Sequence, residues 1–138
     1  MTRKQTPIVL TLAILLLALV ASGCATAAKV PGQVELTAST FDSGTISNSA
    51  PVSRTFQVRN VGRGALEIAG VSTSCGCTTA EIGNRRVTPG GVADLTVTFD
   101  PQAHGGAAGA FVRQVYVRSD DPDTPEATLT IRVTVVEP

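Results

Sequence analysis

From Val34 onward, apolar residues recur at every second position, and this alternation constrains the fold more than any other feature of the chain. Successive side chains of a strand point to opposite faces, so a period of two collects the apolar ones on a single face. Phe56 and Val58 alternate with Thr55, Gln57 and Arg59, while Leu66 and Ile68 flank Glu67. Leu95, Val97 and Phe99 alternate with Thr96, Thr98 and Asp100; Phe111, Val115 and Val117 follow; Leu129, Ile131, Val133 and Val135 interleave with Thr130, Arg132 and Thr134. Between the runs sit Asn60-Val-Gly-Arg-Gly64, Pro89-Gly-Gly91, His104-Gly-Gly106 and Asp120-Asp-Pro-Asp-Thr-Pro125. These are turn chemistries: Gly for positive φ, Pro for a fixed φ, Asp and Asn for local side-chain bonds.

With Val34–Thr37, a piece near Phe41–Ile46 and a strand after Cys77, about seven to eight short strands are predicted, separated by turns at regular spacing. That pattern is the signature of an all-β, antiparallel β-sandwich, one face of each sheet buried and the other wet. Its predicted core is Phe56, Val58, Leu66, Ile68, Leu95, Val97, Phe99, Val115, Val117, Leu129, Ile131 and Val133. The chain has no Trp, so the Cys…Trp…Cys hallmark of antibody domains is excluded.

The N-terminus carries a different message. Arg3 and Lys4, an apolar centre over Ile8–Val20 and Ala21-Ser-Gly-Cys24 read as the signal and lipid-attachment site of a bacterial lipoprotein. The centre is about 13 residues, short of the roughly 20 a spanning helix needs, so cleavage before Cys24 is expected. Residues 1–23 are the predicted signal peptide, 24–33 a small, polar, lipid-anchored tether, and 34–138 the sandwich. Lipid on Cys24 places the protein outside the cytoplasm, anchored to a membrane; several acyl chains, at about 0.8 kcal/mol per buried methylene, make that attachment stable.

Loss of Arg3 and Lys4 with the signal leaves nine basic against eleven acidic residues, a net charge of −2 on the mature chain. Nucleic-acid binding needs a basic face and is not expected. No nucleophile elbow, acid pair or His-rich metal set is present, so no enzyme activity is expected.

Cys75 and Cys77, flanking Gly76, are the one chemical constellation. In an extended strand, residues i and i+2 share a face about 6.6 Å apart at Cα, whereas disulfides prefer about 5.5–6 Å. A bond between them needs a bend, which Gly76 permits. Three readings stand open: a local disulfide, redox-active or not; free or buried thiols; and a soft metal such as Cu(I) held by both sulfurs, with His104 as third ligand. His104 otherwise reads as a solvated loop histidine. Asp120, Asp121, Asp123 and Glu126 suggest hard-cation ligands, yet lack the glycine and spacing of a calcium loop, and read as a solvated turn. His104-Gly-Gly106 opens no helix, as a phosphate cradle must. Arg85-Arg86 reads as an exposed turn.

Phe41-Asp-x-Gly-Thr-Ile46, Thr55-Phe-x-Val-x-Asn60, Gly62, Leu66-x-Ile68, Val71, Ser74-Cys-Gly-Cys-Thr78, Pro89-Gly90, Val97-x-Phe99-Asp-Pro101 and Ser119-Asp-Asp-Pro122 together resemble the bacterial domain-of-unknown-function 1573 family. Ser-Cys-Gly-Cys-Thr is the most specific part, and the resemblance runs from about Val34 to Val136. It implies an exported immunoglobulin-like sandwich, similar to Hydin-type and major-sperm-protein-type domains, and no established activity. Ser43 stands where the family usually has an aromatic residue, which thins the core near the first strand, and Asp120 stands where Asn is common. The expected function is a membrane-anchored, non-catalytic binding or scaffold module with a protein or envelope partner. The alternative is a thiol-redox or copper(I)-handling protein centred on Cys75 and Cys77.

Overall fold

The alternating runs become nine strands in a computed structural model that describes residues 28–138. They are β1 (Val34–Leu36), β2 (Thr40–Ser47), β3 (Val52–Asn60), β4 (Leu66–Thr73), β5 (Thr78–Ile82), β6 (Arg86–Val87), β7 (Val92–Phe99), β8 (Gly109–Ser119) and β9 (Glu126–Val136). A one-turn 3-10 helix, Pro101–His104, follows β7. The strand beyond the expected seven to eight is β6, whose two residues are too short to show any period.

One sheet has the order β1-β3-β7-β5 and the other β2-β9-β8-β4-β6. Every pairing is antiparallel except β2 with β9, which run parallel with Phe41 beside Ile131. This departs from the purely antiparallel expectation, and Thr37-Ala38-Ser39 supplies the reason. That segment lacks the Gly, Pro or Asn of a chain reversal, so the chain changes sheets without turning back. Ser39 accepts the Thr130 N–H at 2.8 Å as β2 begins.

All twelve predicted core residues are buried. They do not form one cluster, however: ten lie in a main cluster with Val87 and Ala93, whereas Phe99 and Val133 join Val135 and Cys77 in a second. The strand registers explain the division. Val52, Phe99 and Thr78 are neighbours at one end of the first sheet, as are Gly109 and Val135 in the second. This end therefore gathers the β2–β3 turn, the β4–β5 connection with both cysteines, the 3-10 helix and the chain's C-terminus. The opposite end gathers residues 28–33, the β3–β4 loop, the β6–β7 turn and the β8–β9 turn.

The last residues of the stretch expected as a tether dock at that opposite end. Gly64 donates its N–H to the Pro31 carbonyl at 3.0 Å and Val61 to the Gln33 carbonyl at 2.9 Å. Backbone approaches so closely here that a Cβ on Gly62 would lie 2.5 Å from the Gln33 nitrogen, and one on Gly32 2.6 Å from the Leu66 Cα. Only glycine fits such contacts. Lys29, just before this docked segment, pairs its ammonium with Asp120.

Candidate functional site

The β4–β5 connection carries Ser74-Cys-Gly-Cys-Thr78, and its polar residues shape the turn. Ser74 and Gln114 bond reciprocally: the Ser74 N–H donates to the Gln114 carbonyl at 2.9 Å and the Gln114 N–H to Ser74 Oγ at 3.0 Å. The Thr73 hydroxyl lies 2.7 Å from the Thr78 carbonyl and 3.0 Å from that of Cys75. Asp100, at the end of β7, donates its N–H to the Cys77 carbonyl at 2.8 Å. Hydroxyl and amide partners of this kind replace the strand ladder where the chain bends.

Cys75 and Cys77 consequently lie in a turn and not on a shared strand face, with Cα atoms 5.4 Å apart and sulfurs at disulfide distance. That spacing falls within the range disulfides favour, below the extended-strand value of about 6.6 Å. Gly76 is not the cause of the bend. It is absent from the positive-φ glycines, and a Cβ there would meet nothing within 4 Å. The two cysteines differ in exposure: Cys77 is 1% accessible, packed with Phe99, Val133 and Val135, while Cys75 is half-buried. The Thr78 hydroxyl sits between them, 3.6 Å from Cys75 Sγ and 3.7 Å from Cys77 Sγ.

Arg113 completes the site. Its Nε–H donates to Cys77 Sγ at 3.0 Å, its Nη1 donates to the Val112 carbonyl, and its guanidinium carbon lies 4.9 Å from the Phe111 ring centre and 5.9 Å from that of Phe99. Aromatic faces and a sulfur thus hold a half-buried cation. Sequence reasoning passed over this residue. The available signal was register: along Phe111, Arg113, Val115 and Val117, arginine occupies a position of the inward-facing series.

The other predicted sites disperse. Cys24 lies outside the described residues. His104 ends the 3-10 helix, which Asp100 caps by accepting the Gln102 N–H at 2.8 Å and left-handed Gly105 closes at φ 73°. The helix lies at the cysteine end, but the His104 side chain falls outside the description, and with it the Cys75, Cys77 and His104 set for Cu(I). Among the described residues no group of three or more His, Cys, Asp and Glu side chains is placed to hold a metal.

In the acidic turn Asp120, Asp123 and Glu126 are exposed as expected, whereas Asp121 is not solvated. Asp121 is only 3% accessible; it accepts the Val34 N–H on one oxygen at 2.8 Å and those of Asp123 and Thr124 on the other at 2.9 and 3.2 Å. Burial pushes its carboxyl up, but the three N–H groups outweigh this and hold it below the ordinary carboxylate value. Asp120 is lowered chiefly by the Lys29 side chain and then by the Glu67 N–H, and Glu126 pairs with Arg118. Arg86 is an exposed partner of Glu67, while Arg85 donates to the Ala69 carbonyl at 3.0 Å.

One flank leaves backbone unpaired. β5 is the edge of its sheet; β6 covers β4 at Leu66 and Glu67, and the Arg85 carbonyl accepts the Ile68 N–H at 2.7 Å while its side chain donates to the Ala69 carbonyl, so the bare edge of β4 begins at Gly70. The two strand edges face a shared groove lined by Gly70, Val71, Ala80, Glu81, Ile82 and Arg85.

A model of the family described as proteins of unknown function, DUF1573, matches residues 34–135. The chain belongs to this family. Among solved structures, the DUF1573 chain is similar to a protein of unknown function from Porphyromonas gingivalis W83, with 26% identity and a TM-score of 0.69 over 80% of this chain and 50% of that one. The chain thus spans half the length of that protein. It is also similar to a PapD-like domain of human CEP192 (11% identity, TM-score 0.58, 76% and 86% of the two chains) and to the E. coli chaperone DraB (12% identity, TM-score 0.52, 78% and 57%). The latter two likenesses show the fold alone. No curated protein matches.

Proposed function

We propose that this DUF1573 chain is a lipid-tethered, non-catalytic module that binds or scaffolds a protein partner outside the cytoplasm. A PapD-like and immunoglobulin-like sandwich supports a binding role, since such folds engage partners through end loops or by lending a strand edge. The observation that carries the reading is the flank where β5 and the exposed part of β4 present two strand edges to one groove. An extended segment of a partner finds unpaired backbone there, and Val71, Ala80 and Ile82 offer apolar contact. DraB, of similar fold, is described as a chaperone.

The anchoring half rests on Ala21-Ser-Gly-Cys24 behind an apolar run. Six residues separate Cys24 from docked Pro31, so a lipid on Cys24 holds the domain within about 25 Å of the headgroups even with that segment fully extended. The end bearing Arg63 then faces the membrane and the cysteine end faces away.

Photo-crosslinkers at Glu81 and Ser72, on the flank, and at Thr55, on the outer face of the first sheet, test the binding surface in cells. Capture of one defined protein from the flank positions and not from Thr55 is expected; equal capture at Thr55, or none anywhere, would overturn it. Cys24→Ser should abolish acyl labelling and release the protein from the membrane fraction. A thiol-redox reading of the far end is favoured by one observation, the Arg113 contact with Cys77.

A further inference from the structure

The geometry points to Cys75 and Cys77 as an exchange-active dithiol–disulfide couple with a fixed polarity: an incoming thiolate attacks Cys75, and Cys77 leaves as a thiolate held by Arg113. Three observations carry this. Cys75 is half-buried whereas Cys77 is 1% accessible, so a thiol arriving from solvent reaches Cys75 first. The Arg113 Nε–H already points at Cys77 Sγ from 3.0 Å, and it donates to that sulfur and to no other. A donor and cation so placed favour the charged form of a sulfur, and a better-stabilised thiolate leaves faster in exchange. Finally, the Phe99 and Phe111 rings, with the Val112 carbonyl, fix the guanidinium in place. It need not be recruited when the bond opens.

The partner class is a dithiol. Its first sulfur, as thiolate, forms a bond to Cys75 Sγ while the bond between the two cysteines breaks, and that electron pair goes to Cys77 Sγ. The partner's second thiol then gives up its proton to water and attacks the partner sulfur of the mixed disulfide. Cys75 leaves as a thiolate and takes a proton from water. Counted from its neutral dithiol, the partner has lost two electrons and two protons and become a disulfide, and the cysteine pair has gained two electrons, with one proton on Cys75 and Cys77 left as the thiolate. Arg113 acts through Cys77 and is a positioning residue. The couple lies at the end of the sandwich opposite the docked N-terminal segment, where no contact with residues 29–33 obstructs it.

The full chain, treated with dithiothreitol and then alkylated and mapped by mass so that Cys24 is read separately, tests the polarity. Arg113→Met should slow reduction by about ten-fold or more and make the disulfide harder to reduce in a glutathione redox titration, with Arg113→Lys recovering much of the loss. In Cys77→Ser, Cys75 should form a mixed disulfide readily with oxidised glutathione; in Cys75→Ser, Cys77 should react slowly despite its arginine. Equal reduction rates and equal redox midpoints for wild type, Arg113→Met and Arg113→Lys would overturn the assignment, as would faster reaction at Cys77 than at Cys75. Should Arg113→Met fail to fold, the two serine variants decide it.

Discussion

Asn60 is wholly buried, and all four hydrogen-bonding sites of its side chain are used. Its oxygen accepts the N–H groups of Gln33 and Gly62 at 3.1 and 3.0 Å; its amide nitrogen donates to the carbonyls of Gly64 and Val87 at 2.8 and 2.9 Å. One side chain thereby ties the N-terminal segment, the β3–β4 loop and β6 together. Asn60→Ala strips these partners, and each unsatisfied buried group costs about 1–3 kcal/mol, so a loss of about 3 kcal/mol or more in urea unfolding is expected. The sequence showed Asn60 as turn chemistry and Asp121 as solvated acid because polarity alone argues for water; only the fold reveals partners brought from distant strands. Asp121 leads to a pH prediction. A carboxyl held below its ordinary value contributes stability that is present above that value, about 3.9, and is lost as pH falls through the lowered folded value. Asp121→Asn should therefore be less stable than wild type at pH 7, and its urea midpoint should fall less steeply below pH 4.

At the scale of elements, the period of two located the long strands and every predicted core residue, because each apolar run has a wet face to contrast with. It was silent on β6, which has two residues, and on the direction of β2, which depends on a sheet change and not on any residue within the strand. Ser43 was legible. The family resemblance marked it as a thin place, and a hollow lies there, lined by Phe41, Ser43, Ile46, Phe56, Ile131 and Val133, with Arg54 5.5 Å over the Phe41 ring. Ser43→Leu should fill it and raise stability by about 0.5–2 kcal/mol in denaturant unfolding. The β4–β5 connection calls for the opposite expectation. A loop of about three residues yields roughly 1.6 kcal/mol from chain entropy, so reduction should lower the melting temperature by no more than about 6–13 °C, as about 1 kcal/mol corresponds to roughly 4–8 °C in a domain of this size. Unfolding on reduction would show that Cys75 and Cys77 serve structure first. The cysteine motif was readable from its spacing, whereas Arg113 was not, since nothing in the sequence places residue 113 beside residue 77 until β8 and β5 are set across the sandwich from one another.

For the whole molecule, the division into two clusters assigns a separate job to each end: one fastens the N-terminal segment and the other holds the cysteine couple. Phe56→Ala, in the main cluster, should cost about 3–5 kcal/mol by calorimetry or urea, a large share of the roughly 5–15 kcal/mol a domain has. Phe99→Ala should carry a similar cost and should also alter the rate at which the cysteine pair is reduced, because Phe99 flanks both Cys77 and Arg113. The position of β9 bears on when the domain can form at all. The last strand of the domain, β9, is an interior strand, between β2 from near the start of the domain and β8. Contacts between such distant segments make for slow folding, and a chain emerging N-terminus first cannot pair β2 until the domain's last strand is free. The second sheet therefore closes only once β9 has emerged, leaving an interval in which β2 and one edge of β8 are open to wrong partners. A chain cut short before Glu126 should never leave that interval.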